Sequence, residues 1–190
     1  MNWTLLAVAL FLSFAADVSV AHVLSFKDVS PSFSLVLVVF LSLHAPRNAV
    51  PWIGWGAGIL MDLLSPIPHG PMGVGPLIGP HALGWCFGSY LVMLVRTMLF
   101  KRQIHTVGAM TLMFAAAASL LAVFMLALHS MYEPVAVGWA EGGAIRELLR
   151  RLGGGLYSAL IALVLGPVLT LTLPVWSFRQ SMPRGLPRRA

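Results

Sequence analysis

The feature that most limits the fold of this chain is a set of long apolar runs that carry very few charged side chains. The clearest run covers residues 105–128, where Ala, Leu, Met and Phe continue without an Asp, Glu, Lys or Arg. About 20 apolar residues are enough for a helix to cross a bilayer. A soluble domain has about 25% charged residues, whereas this chain of 190 residues has 9%. The sequence therefore predicts an all-α, polytopic membrane protein, because backbone groups in lipid must be paired internally.

The apolar pattern divides a single integral membrane domain into a bundle of six transmembrane helices. The second run is short, and Pro31 suits the first turn of a helix, where a missing N–H costs nothing. Asp17 and His22 interrupt the first run. They lie either near the membrane interface or in a polar contact with another helix. We predict spans at residues 3–26, 31–44, 50–64, 76–96, 105–128 and 156–176, followed by a basic tail at 177–190.

A polar segment precedes the last predicted span. Residues 144–152 read AIRELLRRL, with apolar side chains on one helical face and Arg and Glu around the other. This pattern predicts a short amphipathic helix along the membrane interface. The glycines at 153–155 then predict a turn, and Pro167 predicts a kink in the final helix.

The most informative stretch is residues 54–73, where an apolar helix pattern carries one carboxylate and then breaks into a loop rich in Pro and Gly. An aspartate inside an apolar run faces protein or water rather than lipid. Asp62 has either a structural role, bonded to loop N–H groups or a buried donor, or a direct role in handling protons or a ligand. The candidate motif residues are Gly58, Asp62, Ser65, Pro66, Pro68 and Gly70.

Small residues recur at four-residue spacing in the third and fourth predicted helices. This spacing puts Gly54 and Gly58 on one helix face, and Gly84 and Gly88 on another. Small residues on one face allow two helix backbones to approach closely. We therefore predict helix packing at these four positions.

The central stretch also carries a family resemblance. The order of Gly58, three apolar residues, Asp62-Leu63-Leu64-Ser65-Pro66, Pro68 and Gly70 resembles the motif of MreD, the rod shape-determining membrane protein family. The family usually has Leu at the position of His69. Weaker similarities follow in the same order: PSFSLVLVVFLSL, YLVMLVRTMLFKRQ and RRLGGGLYSALIALVLGPVL.

This resemblance implies a non-catalytic inner-membrane scaffold or regulator of the complex that builds the lateral cell wall and maintains rod shape. The implied partners are membrane lipid, a single-span MreC-like protein, the actin-like MreB, and a wall polymerase with its transpeptidase. An alternative is the substrate-binding membrane subunit of an energy-coupling-factor transporter, whose helix pattern is similar. That function requires several polar groups converging in a pocket, and the sequence offers few besides Asp62, Ser65, His69 and His81.

No familiar catalytic or metal-binding motif stands out in the sequence. There is no HExxH, no CxxC pair and no Walker lysine after the glycines at 153–155. Basic residues are not interleaved with aromatics as nucleic-acid binding requires. We therefore predict no catalytic residues, no cofactor and no metal. A metal shared by His69 and His81 is a minor alternative, and a membrane enzyme is a weaker third function.

The distribution of basic residues favours an orientation with both termini in the cytoplasm. Six crossings place eight basic residues inside and four outside, and an excess of Lys and Arg marks the cytoplasmic side. The loop after Asp62 then lies on the outer face. The inner residues are Arg47, Arg96, Lys101, Arg102, Arg179, Arg184, Arg188 and Arg189; the outer ones are Lys27, Arg146, Arg150 and Arg151.

Overall fold

A computed structural model describes residues 2–26, 29–65, 67–68, 74–98, 104–132 and 143–176. Within these residues the fold is all-helical, apart from one pair of two-residue antiparallel strands between the third and fourth helices. The elements are α1 (Trp3–Val23), α2 (Phe33–His44), α3 (Val50–Leu64), β1 (Ile67–Pro68), β2 (Val74–Gly75), α4 (Pro80–Val95), α5 (Ile104–Tyr132) and α6 (Gly143–Leu171).

The described helices fall into two length classes. Three are long and apolar enough to cross a membrane, with candidate spans at Trp3–Ala21, Thr106–Met131 and Gly143–Leu171. The other three, α2, α3 and α4, have 12, 15 and 16 residues. At 1.5 Å per residue they are roughly 18–24 Å long, less than the about 30 Å of a bilayer core. The all-helical class is confirmed, and the six-span bundle stays a prediction.

Helix α2 lies at the centre of the bundle. It contacts all five other helices, and its residues from Ser34 to Leu43 are buried on every side. A helix that is apolar all round belongs in a protein interior, which explains the uninterrupted Leu, Val and Phe of this segment. Its neighbours Phe114 and Trp85 complete the main apolar core with Val36 and Val39.

The C-terminal end of α2 is closed by a side chain from beyond α4. Arg96 is 8% exposed, and its Nη1 donates to the carbonyl oxygens of Ser42 at 2.9 Å and Ala45 at 2.8 Å. The last carbonyls of a helix have no partner within it, and a cation there also favours the helix dipole. Arg96 therefore fixes the end of α2 inside the bundle, a role that the sequence pattern did not indicate.

The two ends of the described chain meet at this same end of the bundle. The Asn2 N–H donates to the Trp176 carbonyl at 3.5 Å, and the Trp176 side chain packs against Phe40 near the end of α2. The end of α3 and the starts of α2, α4 and α6 lie together at the opposite end, as the contacts described below show. We call that opposite end the cavity end.

The four glycines predicted to pack helices together lie where neighbouring helices approach closely. A Cβ on Gly58 would lie 2.5 Å from the His81 carbonyl oxygen of α4, and one on Gly84 would lie 2.7 Å from the Ala118 carbonyl oxygen of α5. Gly54 likewise faces Ser89 of α4, and Gly88 faces the ring of Phe114. These small residues therefore hold α3 against α4, and α4 against α5.

The predicted turn at 153–155 is wrong, and so is the separate amphipathic helix before it. Residues 143–171 form the single helix α6, which runs through all three glycines and past Pro167. Close packing explains the continuity, because a Cβ on Gly155 would lie 2.5 Å from the Ala115 Cβ and one on Gly154 would lie 3.2 Å from the Ser30 carbonyl oxygen. Tertiary contact thus outweighs the low helix propensity of glycine.

The predicted start of the fourth helix is too early. The sequence predicts helix from residue 76, whereas α4 begins at Pro80. Gly79 precedes it with a φ of +143°, a conformation that side chains with a Cβ rarely adopt. The chain therefore turns at Gly79 and enters α4 with proline in its first turn, where proline is favoured.

Replacing Gly58 by Ala is expected to lower the free energy of unfolding by about 1–3 kcal/mol, since the new methyl group would press on the α4 backbone. Gly56 is the matched control, because a Cβ at this position of the same helix would meet no atom within 4 Å. Gly56→Ala should be neutral or stabilise by up to about 1 kcal/mol. Thermal unfolding in mild detergent measures both. Equal stability of the two variants would contradict the close approach of α3 and α4.

Arg96→Leu is expected to destabilise the fold by about 2–5 kcal/mol, because it leaves buried carbonyl groups of α2 without a donor. Arg47 is exposed on the neighbouring turn, so Arg47→Leu should change stability by less than about 0.5 kcal/mol. Arg96→Lys should recover part of the loss. The unfolding midpoints of the variants in detergent provide the test. Equal losses of stability in the Arg96→Leu and Arg47→Leu variants would contradict the capping role of Arg96.

Candidate functional site

Asp62 closes the start of α4. Its side chain is 1% exposed and accepts backbone N–H groups from Gly79 at 2.8 Å, His81 at 3.0 Å and Ala82 at 3.1 Å. The first N–H groups of a helix lack intrahelical partners, and a carboxylate there also favours the positive end of the helix dipole. This carboxylate comes from α3, so it joins two helices. The geometry favours the structural role that the sequence offered for Asp62.

A polar chain continues from Asp62 to α6. His81 Nδ1 lies 2.8 Å from Asp62 Oδ1, and His81 Nε2 lies 2.9 Å from Arg151 Nη1. Arginine can only donate, so Nε2 accepts and the proton of the neutral ring belongs on Nδ1. Arg151 Nε donates to Glu147 at 2.7 Å, and Glu147 also accepts two hydrogen bonds from Arg150, at 2.8 and 2.9 Å. The network therefore ties α3, α4 and α6 together.

Asp17 closes the start of α2 in the same way. Its carboxylate accepts the Phe33 N–H, the Ser34 N–H at 3.2 Å, and the hydroxyl groups of Ser32 at 3.1 Å and of Ser34. The Ser158 hydroxyl of α6 in turn accepts the Ser32 N–H at 2.9 Å. Of the two positions that the sequence left open, Asp17 therefore takes the internal one. The side chain of His22 lies outside the described part of the chain.

These groups surround a cavity of about 350 Å³ at the cavity end of the bundle. All six helices contribute to its wall, which combines polar and apolar side chains. The polar ones include Asp17, Ser32, Ser65, His81, Ser119, Arg150, Arg151 and Ser158; the apolar ones include Ala21, Leu35, Met61, Trp85, Ala115 and Ala118. A space of this size and mixed lining is typical of a small-molecule site.

The motif residues from the sequence are only partly brought together here. Ser65 lines the cavity, and its N–H donates to the Asp62 carbonyl at 3.4 Å as α3 ends. Gly58 packs against α4 one turn away, and Pro68 pairs with Val74 in the strand pair. Pro66, His69 and Gly70 lie outside the described residues. The metal site suggested for His69 and His81 includes His69, so that prediction also falls outside them.

Sequence reasoning missed the cavity because its wall is assembled from all six helices. No local motif joins Asp17 to Arg151 or Ser158, which are far apart along the chain. One signal was available. An acid inside the first apolar run and a Ser-Phe-Ser sequence at the start of the second predict a carboxylate facing a helix start.

Within the described ranges, no group of three or more His, Cys, Asp and Glu side chains is placed to hold a metal ion. The carboxylates of Asp17 and Asp62 are each occupied by a helix start, as the contacts above show. What the arrangement offers instead is a set of fixed donors, guanidinium and hydroxyl groups beside an apolar surface.

Comparison of this chain with models of known protein families, with curated proteins and with solved structures yields no match. The resemblance to MreD therefore depends on the motif residues and on the order of the weaker similarities described above.

Asp62→Asn is expected to lower the free energy of unfolding by about 2–5 kcal/mol, since an amide presents one acceptor oxygen to four donors. Ser65→Ala is the matched control in the same motif and should cost less than about 1 kcal/mol. Thermal unfolding of both variants in detergent, with the amount of protein in membranes, provides the test. An Asp62→Asn protein as stable as Ser65→Ala would show that the cap is unimportant.

Proposed function

We propose that this chain is a non-catalytic scaffold or regulator of the cell-elongation complex in a bacterial inner membrane, with a role like that of MreD. Its partners in this proposal are a single-span MreC-like protein, MreB, and the wall polymerase and transpeptidase. Three helices apolar enough to span a membrane support the membrane setting. The cell-shape role comes from the resemblance around Asp62.

The observation that supports the proposal most directly is the set of hydrogen bonds that Asp62 accepts. Asp62, the central residue of the MreD-like motif, accepts four hydrogen bonds and thereby joins α3 to the start of α4. A motif that joins the end of α3 to the start of α4 holds the surface formed by these two helices in place. A scaffold needs such a surface, and it needs no reactive side chain. The partly buried Asp17 and the buried Arg96 serve the same purpose at the ends of α2.

The proposal includes six crossings and cytoplasmic termini. Large apolar side chains such as Phe11, Leu160 and Val164 are more than half exposed on the long helices, as lipid-facing residues are. Trp52 and Trp55 are exposed near the start of α3, where an interfacial belt would lie. The contact between Asn2 and Trp176 supports a common side for both termini. Under this orientation the cavity end faces outward.

A second candidate, the substrate-binding membrane subunit of an energy-coupling-factor-type transporter, is favoured by one observation. That function requires converging polar groups in a concave pocket. The cavity offers Arg151, His81 and Ser158 from two different helices around one space, which the sequence pattern did not reveal.

Affinity purification of the tagged full chain from native membranes in gentle detergent, followed by mass spectrometry, distinguishes the two candidates. We expect a single-span MreC-like protein and wall-synthesis enzymes, because a scaffold holds its partners through stable surfaces. The control is an unrelated multi-pass protein with the same tag and expression level.

Recovery of cytoplasmic ATPases with a second membrane subunit would overturn the scaffold proposal and support the transporter subunit. Depletion of the chain gives a separate readout, since a scaffold of cell elongation should cause loss of rod shape when it is removed. Unchanged shape after depletion in a rod-shaped host would also contradict the proposal.

A further inference from the structure

We propose that the cavity binds a small amphiphile whose phosphate or carboxylate head contacts Arg151 and whose apolar part packs against Trp85. This site goes beyond the scaffold proposal, and binding can be measured without any partner protein. The inference depends on the charges, the hydrogen-bond occupancy and the layout of the cavity wall.

Arg151 supplies the head-group contact. Its side chain is 17% exposed at the cavity wall, and its guanidinium uses Nε for Glu147 and Nη1 for His81. Among the described residues, Nη2 of Arg151 has no hydrogen-bond acceptor. Guanidinium groups suit phosphate and carboxylate because their N–H groups are arranged as a fork. The position therefore holds an oriented cation with donors still available.

The two arginines on the cavity wall share one acid. Glu147 is shared between Arg150 and Arg151, so two guanidinium groups face a single carboxylate. His81 accepts from Arg151 and is neutral in this arrangement. On the α6 side of the cavity, two guanidinium groups therefore share the carboxylate of Glu147, and an anionic group would add a second partner for Arg151.

The two other carboxylates among the described residues are occupied elsewhere. Asp17 already accepts four hydrogen bonds from the start of α2, and Asp62 accepts four from α4. Each faces the positive end of a helix dipole, which offsets its charge. Within the described part of the cavity wall, an anion at Arg151 therefore meets no unpaired carboxylate.

The layout of the wall gives the ligand a direction. His81 lies in the first turn of α4 and Trp85 one turn further into the bundle. On α3, Ser65 ends the helix while Met61 lies one turn inward, and Leu35 of α2 lies inward of Ser32 in the same way. On α2, α3 and α4 the polar side chain of each pair therefore lies nearer the cavity end and the apolar one deeper, while Asp17 and Ser158 lie beside Ser32 at the start of α2. An amphiphile fits with its head outward and its apolar part inward.

Two kinds of ligand have an anionic group joined to an apolar part: a soluble organic anion and an anionic lipid. The volume of about 350 Å³ suits the head group and first carbons of a lipid or a whole small molecule. Both sources share the features argued above, an anionic oxygen cluster joined to an apolar part, and the experiment separates them.

The test uses the full chain purified in an uncharged detergent and three probes. The probes are hexyl phosphate, the uncharged hexanol, and phosphatidylglycerol added against a phosphatidylcholine background. A ligand that binds the folded state raises the unfolding midpoint in a concentration-dependent way. We expect hexyl phosphate to raise the midpoint and hexanol to leave it unchanged at the same concentrations. Equal effects of the two soluble probes would overturn the proposal.

Native mass spectrometry with the third probe identifies the source. Selective retention of phosphatidylglycerol, displaced by hexyl phosphate, identifies a lipid head group. Binding of hexyl phosphate without selective lipid retention identifies a soluble anion. Both results support the site, whereas no binding of either anion would contradict it.

Matched variants locate the binding. Arg151→Gln should weaken hexyl phosphate binding about tenfold or more, because a charge-assisted hydrogen bond is lost. Arg146 lies on the same helix, is exposed and does not line the cavity, so Arg146→Gln should bind normally. Equal losses in the two variants would show that general surface charge, not the cavity, attracts the anion.

A second variant keeps the test decisive if Arg151→Gln fails to fold. Ala21 is 3% exposed and lines the cavity from α1, so Ala21→Leu adds volume there while leaving every charge in place. We expect it to reduce hexyl phosphate binding at least as strongly as Arg151→Gln. Full binding by a folded Ala21→Leu protein would overturn the assignment to this cavity.

Discussion

The architecture depends on pairing the backbone groups at the ends of short helices inside the bundle. Helix α2 has 12 residues and is buried along its length, so neither of its ends can rely on bulk water. Asp17 supplies acceptors at its first turn and Arg96 supplies donors at its last. The same requirement explains Asp62 at the start of α4. In an apolar interior each unpaired backbone group costs free energy, so these three charged side chains are required by the fold itself.

Close backbone approach is the second constraint, and it acts together with the caps. Glycines on α3 and α4 let Asp62 reach the start of the next helix, because a Cβ on Gly58 would meet the α4 backbone at 2.5 Å. The glycines of α6 bring that helix against α5 and the segment before α2, so that Ser158 can accept from Ser32. Small residues therefore set the distances, and the polar contacts between helices depend on those distances.

These two constraints also produce the cavity. Helices α2 and α4 start at the cavity end, and α3 ends there, whereas α5 and α6 extend further in that direction. The space left beside the short helices is the cavity, and its lining includes residues that lie at or cap these helix ends, such as Asp17, Ser32 and His81. Non-helical backbone at membrane depth is tolerated where it is enclosed by protein or lines a cavity. The structural network and the proposed ligand site therefore share residues: His81 joins Asp62 to Arg151, and both His81 and Arg151 line the cavity.

The sequence by itself determined the helical class, the apolar segments, the small-residue faces and the importance of Asp62, because these depend on local composition and periodicity. The predicted starts of the fourth helix at residue 76 and of the last helix at residue 156 are wrong, because α4 begins only after the turn at Gly79, and packing against Ala115 carries α6 through the glycines at 153–155. Only the tertiary structure decided that Asp17 and Arg96 close α2 and that six helices enclose a cavity. Such contacts join residues far apart in the chain, and their free energy exists only once the helices are packed.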